Sequence, residues 1–194
     1  MGLGVIIGFS PWIIFWILSG ETFFFATLGG FVVSLVMIVP ELVRHRPKIL
    51  DVGTVAFFAV MTVAALTVDR AWFERFANPL SDGALAAISL ISIAVGLPFT
   101  MQYARDSVPE QYWKSPGFIR AGYMITSAWC ASFIIQTAST LLAALVPSVN
   151  QPIFLYVLPY GSLVLALAYT RWYIRRAEAH RPAAESGPSP APAH

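Results

Sequence analysis

The most constraining feature of this chain is the spacing of its charges. The first charged side chain is Glu21 and the second is Glu41. After Asp51 no charge occurs until Asp69, after Asp82 none until Arg105, and after Arg120 none until Arg171. A membrane-spanning helix needs about 20 mostly apolar residues, and every one of these intervals is apolar. Composition supports the same reading. Charged residues make up 11% of the chain and hydrophobic ones 57%, whereas a soluble domain carries roughly 25% charge. The chain lacks the groups needed to coat a water-facing surface. Its apolar runs are uniform rather than alternating, which favours helices over barrel strands. The expected fold is all-α, a polytopic six-helix transmembrane bundle with kinked helices.

The six expected spans are residues 3–18, 22–39, 49–68, 83–101, 118–146 and 153–169. Together they form one transmembrane domain, residues 1–172, followed by a disordered cytoplasmic tail, residues 173–194, which ends in PAAESGPSPAPAH. The first span has no basic leader and no A-x-A-like site, so it reads as a retained helix rather than a signal peptide. Pro40, Pro47, Pro79, Pro109, Pro116, Pro147 and Pro152 are expected between spans. Pro11, Pro98 and Pro159 fall inside them and are expected to kink their helices.

The placement of Lys and Arg sets the orientation. With the N-terminus inside, ten of the twelve Lys and Arg residues fall on the cytoplasmic side, and only Arg70 and Arg75 lie outside. Both termini are expected to be cytoplasmic. Trp72, Phe73, Trp113 and Trp172 are expected to settle at headgroup level as interfacial anchors. Residues 69–77 read as a short interfacial helix that turns Trp72, Phe73 and Phe76 toward the membrane.

Little chemistry is visible. The single cysteine, Cys130, excludes an internal disulfide or CxxC site, and His45, His180 and His194 are scattered, so neither a metal nor a cofactor is expected. No long basic run marks a nucleic-acid surface, and no HExxH, GxSxG, Walker or GxGxxG motif occurs. Asp51 reads as a cap on the helix that begins after Pro47, with a proton or cation site as the sharper alternative. No ionisable residue is expected near the middle of the bilayer. The fifth span carries a broken polar stripe: Gly122, Thr126, Cys130, Gln136 and Thr140. Small and polar residues at this period let helices approach closely, and Gln136 is expected to hydrogen-bond to a neighbouring helix. The alternative is a pore or substrate lining. Asp106 and Glu110 would suit a lipid-modifying site, but Pro109 interrupts the helix that would align them.

The opening IGFSPWIIFWILSG resembles the start of the bacterial intracellular septation protein A family of small inner-membrane proteins. Phe9, Pro11, Ile13 and Phe15 match its Phe–Pro step and the residues that follow, although Gly8 or Ser10 stands where an acidic residue is usual. The loop VDRAWFERFANP resembles that family's short loop of Asp, Phe, charge and Pro. Pro109, Trp113, Arg120, Trp129 and Phe133 resemble its later Pro, Trp, Arg and Trp–Ala–x–Phe segment. The resemblance covers roughly the first 145 positions with gaps, and departs from the family in an inserted Ser-Pro-Gly, a clear final span and the tail. It implies a non-enzymatic protein of envelope maintenance and division that contacts other membrane proteins. The residues themselves leave two readings: an assembly component, in contact with the bilayer and with other membrane proteins or a second copy, and a small-solute or lipid transporter or channel.

Overall fold

The computed structural model describes residues 7–18 and 23–179. Positions 3–6 of the first expected span, the turn holding Glu21, and residues 180–194 with His180 and His194 lie outside the described residues. Seven α-helices occur among the described residues: α1 (Ser10–Leu18), α2 (Phe23–Val43), α3 (Ile49–Thr67), α4 (Arg70–Ala94), α5 (Phe99–Ala104), α6 (Pro116–Leu145) and α7 (Leu158–Ala179). A 3-10 turn at Glu110–Tyr112 precedes α6, and a π-helical turn at Ile153–Val157 leads into α7. Five segments are long and apolar enough to cross a membrane: α2, α3, α4, α6, and the π-helical turn with α7 through Ala177. Large apolar side chains such as Phe25, Val36, Val60, Leu66 and Leu165 are exposed on the outside of the bundle. Water would penalise such a surface and lipid would not, so the architecture fits an integral membrane protein.

The chain order is also largely the packing order. Helix α2 packs between α1 and α3, α3 meets α4, and α6 sits between α4 and α7 with α5 against its first half. Aromatic side chains fill the centre. Trp12 and Phe15 of α1 are fully buried. Phe15 meets Phe58 and Phe23, and Phe23 meets Phe73. Phe9 stacks on Trp129 and reaches Phe133 and Phe99, which ties the start of the chain to α6 and α5. The Trp12 indole donates to Thr54 Oγ1 at 3.0 Å, so its N–H is satisfied inside the core.

Several expected boundaries are corrected. Residues 70–94 form one helix that runs through Pro79, so the outer loop expected between the third and fourth spans is replaced by helix, and its interfacial segment is not separate. The helix starts where its cap is strongest: the Asp69 carboxylate accepts from Trp72 N at 3.1 Å. Proline removes one backbone donor, and packing overrides that cost where the helix buries Phe73, Ala77, Ser81, Leu85 and Ser89 on one continuous stripe. Pro40 likewise lies inside α2. Conversely, residues 83–101 are not one span. The helix stops at Ala94, Gly96 adopts φ +75°, a conformation that favours glycine, and Pro98 precedes α5. Pro98 therefore stands at a break between helices rather than at a kink within one. Pro11 occupies the first turn of α1, where a missing N–H costs nothing. Helix α7 continues past residue 172 to Ala179, so the first residues of the expected tail are helical.

Pro159 sits at the junction of the π-helical turn and α7. In π register the missing Pro159 N–H would have bonded the Phe154 carbonyl. The Ser139 hydroxyl of α6 donates to that carbonyl instead, at 2.6 Å. A proline in a membrane helix is tolerated when a neighbour satisfies the freed acceptor, and here the neighbour is identified.

Candidate functional site

The polar stripe of α6 does not line one common site. Its residues are divided among three neighbours. Gly122 faces α5: a Cβ there would stand 2.7 Å from Met101 Cβ, closer than packing allows. One turn on, Thr126 Oγ1 lies 2.7 Å from Thr100 Oγ1, and Thr100 also donates to the Gly122 carbonyl at 3.2 Å. Cys130 is buried and unbridged. Gln136 does not reach a neighbouring helix directly. Its amide donates within α6 to Ser132 Oγ at 2.9 Å, Ser132 donates to Ser162 Oγ at 3.1 Å, and Ser162 donates to the Pro159 carbonyl at 2.8 Å. The expected interhelical bond is thus made through a serine relay onto α7. Trp129 adds a second tie to α7 through Thr170 Oγ1 at 3.1 Å. Thr140 turns the other way, toward Asp82 of α4.

Two places in this apolar protein gather buried ionisable groups. The first is the end of the bundle where α2 passes into α3. Lys48, almost fully buried, extends its ammonium to Glu41 Oε1 and Asp106 Oδ2, each at 3.0 Å, and over the Tyr103 ring 4.8 Å from its centroid. Burial alone would lower the Lys48 pKa, but hydrogen bonds and charge attraction from Asp106 and Glu41 outweigh it and raise the value above the ordinary 10.5. The Tyr103 hydroxyl donates to Asp51 Oδ1 at 2.5 Å. Burial and the facing Asp51 carboxylate push the Tyr103 hydroxyl strongly upward, so it stays protonated and keeps donating. Asp51 is therefore no helix cap: α3 has no side-chain cap at Lys48, and its first-turn carboxylate is turned inward to Tyr103. Gln102 completes the join by accepting from Ile49 N at 2.9 Å. Two chain segments distant in sequence, residues 41–51 and 102–106, are fastened here.

Asp106 and Glu110 are not brought together as a pair. Asp106 is used by Lys48, and Glu110 begins the 3-10 turn. Beside them the Arg46 and Arg105 guanidinium groups each lie over the Trp113 ring, 5.7 and 5.4 Å from its centroid, and the Trp113 indole donates to the Val108 carbonyl at 2.8 Å. Of the other expected anchors, Trp72 and Trp172 are exposed, but Phe73 is buried against Phe23 at 4.6 Å between ring centroids and so faces the core. Among the described residues no three His, Cys, Asp or Glu side chains are grouped to hold a metal ion.

The second place overturns the expectation of a charge-free interior. Asp82 lies at the midpoint of α4 and is only 5% exposed, with Oδ2 3.2 Å from Thr140 Oγ1. The signal was present in the sequence. Phe73, Ala77, Ser81, Leu85, Ser89 and Ser92 recur at helical spacing on both sides of Pro79, and Asp82 falls beside that stripe. Pro79 made the segment look like a loop.

No protein-family model, curated protein or solved structure matches this chain.

Proposed function

We propose that this protein is a six-span, non-catalytic component of a bacterial inner-membrane assembly, with both termini cytoplasmic and a role in envelope maintenance like that of the septation proteins it resembles. The observation that carries this reading is the use of α6. Its buried serines, threonines and Gln136 are each engaged in a hydrogen bond to α4, α5, α7 or the π-helical turn before α7, or to a neighbouring side chain within α6. Such a hub suits a bundle whose task is to hold one shape for partners. In this reading the sixth crossing involves α1 and residues 7–9 before it. Gly8 approaches Tyr103 at the Lys48 end, while Leu18 packs on Gly29 and Phe15 on Phe23 toward the other end. An even number of crossings keeps the basic loops and the basic end of α7 on one side. Deleting the gene is expected to alter cell length and sensitivity to envelope stress, and crosslinking of the tagged protein in cells is expected to capture membrane proteins of envelope synthesis or division. Normal length and stress tolerance after deletion would overturn the reading.

One observation favours a second reading, transport of a small solute. Asp82 is a carboxylate inside a membrane helix, and such residues commonly mark ion and proton paths. Purified protein in proteoliposomes would then show solute flux that Asp82→Asn or Gln136→Leu abolishes; absence of flux across a broad solute panel counts against it.

A further inference from the structure

The hydrogen bonds around Thr140 carry an inference about Asp82 that requires neither functional reading. A threonine hydroxyl has one proton to give and can accept in return. Thr140 Oγ1 has three acceptors in range: the Gln136 carbonyl at 2.9 Å, the Thr137 carbonyl at 3.4 Å and Asp82 Oδ2 at 3.2 Å. The nearest is the carbonyl one turn earlier on its own helix, the usual partner of a buried helical threonine. A Thr140 that gives its proton there offers Asp82 only a lone pair. An ionised carboxylate can only accept, so it would face oxygen with no proton between them. A carboxylic acid resolves the conflict, because Asp82 donates to Thr140, and Thr140 donates to the Gln136 carbonyl.

The surroundings agree. Among the described residues no cation pairs with Asp82. On its own helix, Arg75 donates to the Ala144 carbonyl at 2.5 Å, and Arg70 pairs with Glu74. The part of α6 that faces it presents Thr137, against Gly83, together with Gln136 and Thr140, and its titratable Arg120, Tyr123 and Cys130 lie six or more residues before that part. On α3 the only titratable group is Asp51, held by Tyr103 of α5, and on α2 it is Glu41, held by Lys48. An unpaired carboxylate in such a setting is costly enough that neutralisation is the usual outcome. Asn78, one turn toward the Arg70 end of α4, is exposed, and Arg75 marks the end of α6 beyond it.

We propose that Asp82 is an intramembrane proton-binding site: a carboxylic acid seated on Thr140. Infrared spectroscopy of the full chain in phosphatidylcholine vesicles at neutral pH tests it. The expected result is a carbonyl band of a protonated carboxyl group that moves in heavy water, disappears in Asp82→Asn and survives in Asp51→Asn. Thr140→Val, which does not depend on the folding of the Asp82 variant, should shift the same band because it removes the acceptor. Absence of the band in the wild type, its survival in Asp82→Asn, its failure to move in heavy water, or an unchanged position in Thr140→Val would each overturn the proposal.

Discussion

The two buried acidic sites of this bundle are built in opposite ways. At the Lys48 end, Glu41 and Asp106 share a lysine, and Asp51 accepts from Tyr103, so carboxylate charge is met by a cation and a strong donor. At Asp82 there is a single threonine, already engaged with its own helix. The first arrangement is a clamp: it joins α2, α3 and α5 with charge-assisted bonds, and losing any member leaves others stranded. The second cannot support a charge and so must be neutral. A buried carboxylate can thus be structural or proton-binding according to what faces it, and the contrast between these two sites can be broken by substitution.

The largest effect is expected at the clamp. Lys48→Met keeps the stem and deletes the ammonium, leaving Glu41 and Asp106 without their common partner. Breaking a fully buried pair costs about 3–5 kcal/mol, whereas exposed pairs are worth at most about 1. Asp106 is more than half exposed while Lys48 is not, so a loss of about 2 kcal/mol is expected in denaturation of the detergent-solubilised protein. Tyr103→Phe should cost somewhat less, about 1.5 kcal/mol, the lower range for a hydrogen bond to a charged acceptor. If either variant melted like the wild type, the clamp would be a geometric coincidence.

The same lysine makes the clamp sensitive to alkali. Its pKa is raised in the folded state, because Asp106 and Glu41 together outweigh the opposing effect of burial. The folded protein therefore holds this proton more tightly than the unfolded chain. The stabilisation is complete below the ordinary value of 10.5 and is lost as pH rises through the raised folded value. Thermal melts taken at increasing pH from about 9 upward should fall more steeply in the wild type than in Lys48→Met. Parallel curves would show that Lys48 does not carry the dependence.

How much of this could be read from residue order differs between the two sites for a physical reason. The apolar runs, their helical character and the seam on α6 are local or periodic properties, and most helices appear close to where charge spacing places them. The clamp is not local. Lys48, Asp51, Tyr103 and Asp106 look like ordinary interfacial residues, and nothing in their spacing says that α5 folds back across the start of α3. Asp82 was hidden by Pro79, because a proline followed by Leu-Ser-Asp-Gly reads as a loop until packing of the flanking stripe carries the helix through it. The mid-span position of Gln136 marks it as a bonding residue, but its route through Ser132 depends on a side-chain direction that spacing does not encode.

A neutral counterpart of these carboxylates lies at Pro159, where the group to be satisfied is a carbonyl. Ser139→Ala should cost about 1 kcal/mol, the worth of one net hydrogen bond to a buried acceptor. Pro159→Ala restores an N–H that can bond the preceding turn. In that background the Ser139 hydroxyl becomes redundant, and the cost of Ser139→Ala should shrink by at least half. Equal costs in both backgrounds would mean that Ser139 acts independently of the proline, and the double-mutant cycle reads this coupling directly.

The smallest expected change is the one that most sharpens the contrast. Asp82→Asn exchanges a carboxylic acid for an amide of nearly the same shape. The amide retains a donor for Thr140 Oγ1 and leaves the Thr140 bond to the Gln136 carbonyl untouched. If Asp82 is neutral in the folded protein, little is lost and stability should move by less than about 0.5 kcal/mol, the range of a benign substitution. If Asp82 were ionised and held by an unseen cation, the same change would strand that cation and cost several times more. A near-silent Asp82→Asn beside a damaging Lys48→Met therefore separates a carboxylate held by a counter-charge from one held by its own proton. Equal damage from both would place the two sites in one class.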